Sequence, residues 1–312
     1  MNFEKTYKQS KIILTEGAIV ERLKAEFNLE MDEHINHAGL IYSNPHALEF
    51  LYKQYADIAQ KYYLPIMLMT PTRKVNHDSI MKSDFPDKNI IADSCRFLNN
   101  IRGIYASYSQ NIFLAGLMGC KGDAYSCSDS LGVEESYQFH RIQAQHFAQE
   151  QVDLLFAGIM PEIYESIGMA RAIAETGLPY IISFMIRKNG CLIDGTPISK
   201  AIEMIDKAVD PQPICYMTNC VHPTNLRNAL QDKKNIDLPH MSRFRGIQAN
   251  ASMLNPEELN NCNVLHQEDF KTMVDEMADL YHNFGLKIFG GCCGTNEGFM
   301  AELSKQLQIE IN

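Results

Sequence analysis

Two short stretches carry the residues best suited to chemistry. Phe-Gly-Gly-Cys-Cys-Gly-Thr covers 289–295, and an Asn-Cys pair stands at 219–220. Thiolates are nucleophiles and soft metal ligands, and zinc favours tetrahedral coordination by sulfur. Neighbouring residues on a strand point to opposite faces, so Cys292 and Cys293 would not ordinarily share one ion. The flanking glycines lift that restriction, because glycine accepts positive φ and lets the chain turn sharply. With Cys220 brought to the same place, three thiolates can surround one Zn²⁺ and leave a fourth position open for substrate, the pattern of a catalytic site. Plainer readings stand beside this one: a buried small hydrophobe for any single cysteine, a core doublet or vicinal disulfide for the pair. Glycines crowded around the pair fit core filling poorly. Cys120, Cys127, Cys191, Cys215 and Cys262 are read as structural, and His222 as an exposed loop histidine.

These residues need a scaffold that gathers distant segments. Short apolar runs at 12–14, 64–70, 112–117, 152–157, 180–186, 214–218, 246–250 and 286–289 read as strands, several nearly continuous in apolar residues as in a buried parallel sheet. Between them lie helical patterns at 137–151, 165–176, 199–208 (Ser199 as N-cap), 256–261 and 268–284. Eight strands alternating with helices imply a (β/α)₈ TIM barrel, here expected as one domain over 1–312. An open doubly wound sheet is the competing fold, but no Gly-rich phosphate loop follows the first strand. In a barrel, function sits where strands end. Those positions are Thr15-Glu16-Gly17, Thr70, Gly119-Cys120, Gly158, Arg187, Asn219-Cys220, Asn250 and the 290–295 run. Strands six and eight thus deliver cysteine to the same rim.

Composition narrows the function classes. The chain has 312 residues, 28 Lys+Arg against 38 Asp+Glu and a net charge of −10, which argues against a nucleic-acid scaffold. No apolar run approaches the ~20 residues of a membrane span, and the start MNFEKTYKQS lacks a signal-peptide core, so the expected address is the cytoplasm. Nine cysteines, an odd number, exclude a fully paired disulfide framework.

At these residues the sequence resembles the homocysteine S-methyltransferase family. The resemblance rests on NC at 219–220 and GGCCGT at 290–295, with supporting stretches at 139–155, 178–202 and 285–303. It implies a (β/α)₈ barrel in which Cys220, Cys292 and Cys293 hold Zn²⁺, and a small-molecule thiol, homocysteine, that takes a methyl group from a donor to yield methionine. The compact length is like that of members using S-methylmethionine or S-adenosylmethionine. Departures from the family pattern fall on amino-acid recognition. The Glu usual after strand four is replaced within Phe156-Ala157-Gly158-Ile159, the first-strand acid is Glu16 rather than Asp, and Gln248-Ala249-Asn250 keeps only the Asn of a Tyr-Pro-Asn. Glu16 and Asn219 are therefore the expected substrate-binding residues. Two other functions stay open at this level: a metal lyase or hydrolase acting on another sulfur compound, and a non-catalytic thiol-binding barrel.

Overall fold

A computed structural model describes residues 2–254 and 269–311. The expected helix 256–261, Cys262 and residue 268 lie outside the described residues. Eight strands form the sheet: β1 Ile13–Thr15, β2 Ile66–Met69, β3 Ile112–Gly119, β4 Leu154–Met160, β5 Tyr180–Phe184, β6 Cys215–Val221, β7 Phe244–Ala249 and β8 Ile288–Gly291. Each pairs in parallel with the next, and β8 closes on β1 through Ile13↔Ile288 and Leu14↔Phe289. The fold is a (β/α)₈ barrel.

Strand alternation sorts the apolar residues into two layers. Ile13, Met67, Phe113, Phe156, Ile181, Met217 and Ile288 fill the barrel interior. Leu14, Leu68, Leu114, Ile182, Tyr216 and Phe289 face the surrounding helices. The helix Phe3–Gln9, capped by Asn2 accepting from the Lys5 N–H at 2.9 Å, closes the lower end of the barrel. There the Phe3 ring meets Phe113 edge-on at 5.4 Å.

Several strands outrun their apolar segments at the upper end. β6 continues through Asn219, Cys220 and Val221, and β8 through Gly290 and Gly291. Ladder hydrogen bonds use backbone alone, so hydrophobicity marks a strand's buried middle and not its polar tip. Helix starts shift for a similar reason. The helix predicted to begin at Ser199 spans Ile198–Ala208 with Pro197 at its cap, and the Ser199 hydroxyl donates to the Lys234 carbonyl at 2.6 Å instead.

Two irregularities sit at the upper rim. The β4–β5 register shifts between Ala157 and Met160, and the β6–β7 register shifts between Asn219 and Val221. At these points Ile159 (φ +49°) and Cys220 (φ +55°) adopt left-handed backbone, which for non-glycine residues stores about 1–3 kcal/mol of strain. Such a bulge re-aims a side chain, and both residues belong to the site.

Candidate active site

A cavity of about 350 Å³ opens at the upper end of the barrel, and Cys220, Cys292, Cys293, Asn219, Glu16 and Gly158 are among its walls. Cys220 comes from the tip of β6, Cys292 and Cys293 from the turn after β8. Their sulfurs all lie within 4.8 Å of one another, with Cys220–Cys293 at 3.4 Å and Cys292–Cys293 at 3.9 Å. Two sulfurs bound at about 2.3 Å to one tetrahedral ion stand roughly 3.8 Å apart, close to the separations here, so this donor set fits a thiophilic metal.

Local devices create that convergence. The bulge at Cys220 lets adjacent residues of β6 face the same space: Asn219 and Cys220 both line the cavity. On the other side, the Cys292 N–H donates to the Ala249 carbonyl at 2.7 Å, and the Cys293 carbonyl accepts from the Ala251 N–H at 2.9 Å. The glycines act differently from the sequence expectation. Only Gly294 of the motif has positive φ (+76°). Gly290 and Gly291 serve close approach instead: an added Cβ would stand 1.8 Å from Thr15 Oγ1 and 2.2 Å from Thr295 Oγ1, respectively. The loops after β1 and β8 are also laced together. Gly294 N–H donates to Glu21 at 2.6 Å, Ala18 N–H to Thr295 Oγ1 at 3.2 Å, and Arg22 pairs with Glu297 at 2.8 Å.

The three thiols share protons unequally. Hydrogen bonds from Cys292 and Cys293 hold the Cys220 thiol well below its ordinary range, and Tyr125 adds a further one. The same bonds push Cys292 and Cys293 up. One anionic sulfur supported by neighbouring donors is the state from which a metal-binding thiolate set forms. Tyr125 itself is raised, first by the Cys220 charge and then by burial.

The site falls within known relationships at this point. The sequence profile of the homocysteine S-methyltransferase family matches residues 13–307. This chain belongs to that family. It resembles homocysteine S-methyltransferase 2 of Saccharomyces cerevisiae, 23% identical over 266 residues covering 76% of this chain and 75% of that protein. Homocysteine S-methyltransferase 2 of Arabidopsis thaliana is 22% identical over 190 residues, 60% of this chain and about half (55%) of the relative. Among solved structures, the metallated form of the homocysteine methyltransferase MmuM from Escherichia coli superposes with a TM-score of 0.75 over 97% of this chain and 98% of that one, at 18% identity. Its oxidized form gives 0.73, at 19% identity over 96% and 97%.

Within this homocysteine S-methyltransferase scaffold, the expected recognition residues are placed as follows. Glu16, immediately after β1, is buried on the cavity wall; its Oε2 accepts from the Met69 N–H at 3.2 Å, and burial pushes its carboxyl up to about 8. Asn219 is largely committed to the protein. Its Oδ1 accepts from the Ile159 N–H at 3.2 Å, its Nδ2 donates to Gln248 Oε1, and Gln248 Nε2 donates to Thr15 Oγ1 at 2.9 Å. This amide chain ties β4, β6, β7 and β1 together across the cavity floor. Arg187 and Asn250, also expected at the rim, turn elsewhere: Arg187 donates to the Ile193 carbonyl at 2.6 Å, and Asn250 caps the Ser252 N–H at 2.8 Å.

Three features escape sequence reasoning. Tyr125 sits in a loop without periodicity. Gln248 stands where the sequence shows only a departure from the family pattern. His222 is not exposed at all; it is fully buried, and its Nδ1 accepts from the Thr224 N–H at 3.2 Å to cap the helix Pro223–Gln231. A His-Pro-Thr sequence at a helix start is the signal that could have found it.

Proposed function

We propose that this chain is a zinc-dependent methyltransferase that moves a methyl group from a sulfonium donor to the thiol of homocysteine, giving methionine. The observation that carries the reading is the cluster of Cys220, Cys292 and Cys293 in the wall of the cavity at the upper end of the barrel. These three residues would hold the zinc, and a sulfur set of this kind matches zinc better than a hard cation. The ion, when bound, lowers the pKa of a substrate thiol so that it persists as a thiolate at neutral pH.

The chain's own groups do the rest. Family membership and the buried position of Glu16 support this carboxylate as the partner of the substrate ammonium, taking the role that the missing strand-four Glu would otherwise fill. Asn219 keeps the β4 tip and Gln248 in register around the substrate and has one N–H left to offer it. The substrate sulfur attacks the donor methyl carbon; the new S–C bond forms as the donor's S–CH₃ bond breaks, and the electron pair stays on the donor sulfur as a neutral thioether. The thiol proton leaves to solvent. Low dielectric in the cavity favours this step, because a thiolate and a sulfonium combine to give neutral products.

Metal analysis of the purified chain, followed by loss of free thiol when homocysteine and S-methylmethionine are supplied, tests the reading. About one zinc per chain and stoichiometric thiol loss are expected. A second reading, a thiol acceptor without an amino group, is favoured by one observation: Glu16 is held near 8, so it is mostly uncharged at neutral pH until a cation arrives. Equal use of homocysteine and butane-1-thiol would support that reading instead.

A further inference from the structure

Arg73 stands out among the residues the mechanism does not use. It lines both the active-site cavity and an adjoining polar cavity of about 580 Å³, so its side chain forms part of the wall between them. The two cavities carry both signs of charge, with Glu16, Glu21 and Lys24 on the active-site side and Glu33, Asp123, Asp129 and Lys74 on the other. Lys24 lines the same active-site cavity, and Lys74 the adjoining one; the Lys74 ammonium is held below its ordinary range by burial, by Arg73 and by Lys24, against the pull of Asp123. On the cavity side Arg73 faces His37, which burial and Arg73 together hold down to about 3 and therefore neutral. Among the described residues, no carboxylate lies within ion-pair distance of Arg73 or Lys24. A half-buried guanidinium with no carboxylate in direct contact is suited to an anionic ligand.

The structure nonetheless builds this position deliberately. The segment after β2 is pinned to β3: Thr70 N–H donates to the Ala115 carbonyl at 2.9 Å, Thr72 Oγ1 to the Leu117 carbonyl at 2.7 Å, and Val75 N–H closes a turn on Thr72 at 2.9 Å. Gly119 at the tip of β3 makes room for it; a Cβ there would stand 2.5 Å from the Arg73 carbonyl oxygen and 2.8 Å from its Cγ. Tyr125 links this wall to the thiols, since its hydroxyl bonds Cys220 while Arg73 acts on the same phenol.

We propose that Arg73, assisted by Lys24, is a specificity-determining residue that binds the α-carboxylate of an amino-acid substrate. The inference rests on the methyltransfer reading and deepens it. The substrate is then held at three points: sulfur at the cysteine cluster, ammonium at Glu16, carboxylate at Arg73. The guanidinium fork matches a carboxylate bidentately, and the pinned backbone leaves little freedom to lose on binding. The carboxylate can belong to homocysteine or to a sulfonium amino-acid donor, and the kinetics separate the two.

The test compares wild type, Arg73→Gln and Arg73→Lys, all loaded with zinc, with homocysteine and S-methylmethionine each varied in turn, and with 3-aminopropane-1-thiol as the acceptor that lacks a carboxylate. Arg73→Gln should raise KM about ten- to a hundredfold for whichever substrate presents its carboxylate there, with kcat changed far less. Arg73→Lys should recover part of the loss. If the carboxylate is that of the acceptor, 3-aminopropane-1-thiol should be a poor substrate for wild type and equally poor for Arg73→Gln, an insensitivity that a merely structural role would not produce. If it is that of the donor, the KM for S-methylmethionine rises and that for homocysteine does not. Unchanged KM for both amino acids in Arg73→Gln, or equal losses with homocysteine and 3-aminopropane-1-thiol at unchanged donor KM, overturns the assignment. Failure of wild type to methylate any thiol would instead overturn the methyltransfer reading itself.

Discussion

The two halves of the cavity are built on different principles. The thiol half, from β6 and β8, packs three like side chains into a space 4.8 Å across, using a bulge, three glycines and backbone hydrogen bonds within two short motifs. The other half, from β1 through β4, where substrate recognition is proposed, scatters single residues of different chemistry along the cavity wall: a buried acid, a tyrosine, an arginine and a backbone turn. Chemistry common to a family is compressed into local sequence; the choice of substrate is spread over loops that vary independently. Substitution in the first half should therefore abolish function, and substitution in the second should re-tune it.

The largest effect is expected at the thiols. Alanine at Cys220, Cys292 or Cys293 should lower zinc affinity by about a hundredfold or more, since one of a few ligands is lost outright, and methyl transfer should fall with it. Alanine at buried Cys95, far from the cluster, should leave metal content intact, as checked by elemental analysis. Full zinc retention in Cys292→Ala would show that the three thiols do not hold the metal.

Glu16→Gln comes next and sharpens the contrast, because it should spare the metal. Loss of a charge-assisted contact to the substrate ammonium should cost about 1.5–3 kcal/mol, a ten- to hundredfold drop in kcat/KM for homocysteine. A signature in stability accompanies it. With its carboxyl at about 8 in the folded chain against an ordinary 4.5, Glu16 keeps a proton when folded that it loses when unfolded. Stability contributed by this group is present below the unfolded value and is lost as pH rises toward the folded one. Glu16→Gln removes that dependence, so its Tm should exceed that of wild type at pH 8 and match it at pH 4. A Tm difference of the same size at both pH values would show that burial of the charge is not the cause.

Asn219→Ala probes the junction between the halves. It strands the Ile159 N–H and frees the Gln248 amide, which should destabilise the fold by about 1–3 kcal/mol in urea unfolding while zinc content stays near that of wild type. The smallest change is expected for Tyr125→Phe. One hydrogen bond to Cys220 disappears, worth about 0.5–1.5 kcal/mol, so activity should drop only two- to tenfold. A thousandfold loss would mean that Tyr125 takes a direct part in the chemistry.

Much of this is legible in the sequence. Near-continuous apolar runs spaced by helical patterns determine a parallel sheet covered on both faces, and eight such runs without a Gly-rich phosphate loop after the first favour the barrel over an open doubly wound sheet. The paired motifs at 219–220 and 290–295 determine a three-thiol cluster once the barrel is granted, since strand ends of one barrel share one rim. Tertiary structure decided the rest. Whether Asn219 faces substrate or scaffold depends on the Ile159 N–H of β4 and the Gln248 amide of β7, 60 and 29 residues away in sequence. The protonation of Glu16 follows from burial, which no spacing rule encodes. His222 becomes a buried helix cap, and Gly119 becomes the clearance for an arginine, only because segments remote in sequence meet there. Local patterns fix backbone form, through periodicity and φ; solvation, charge partners and close contacts are properties of the assembled chain.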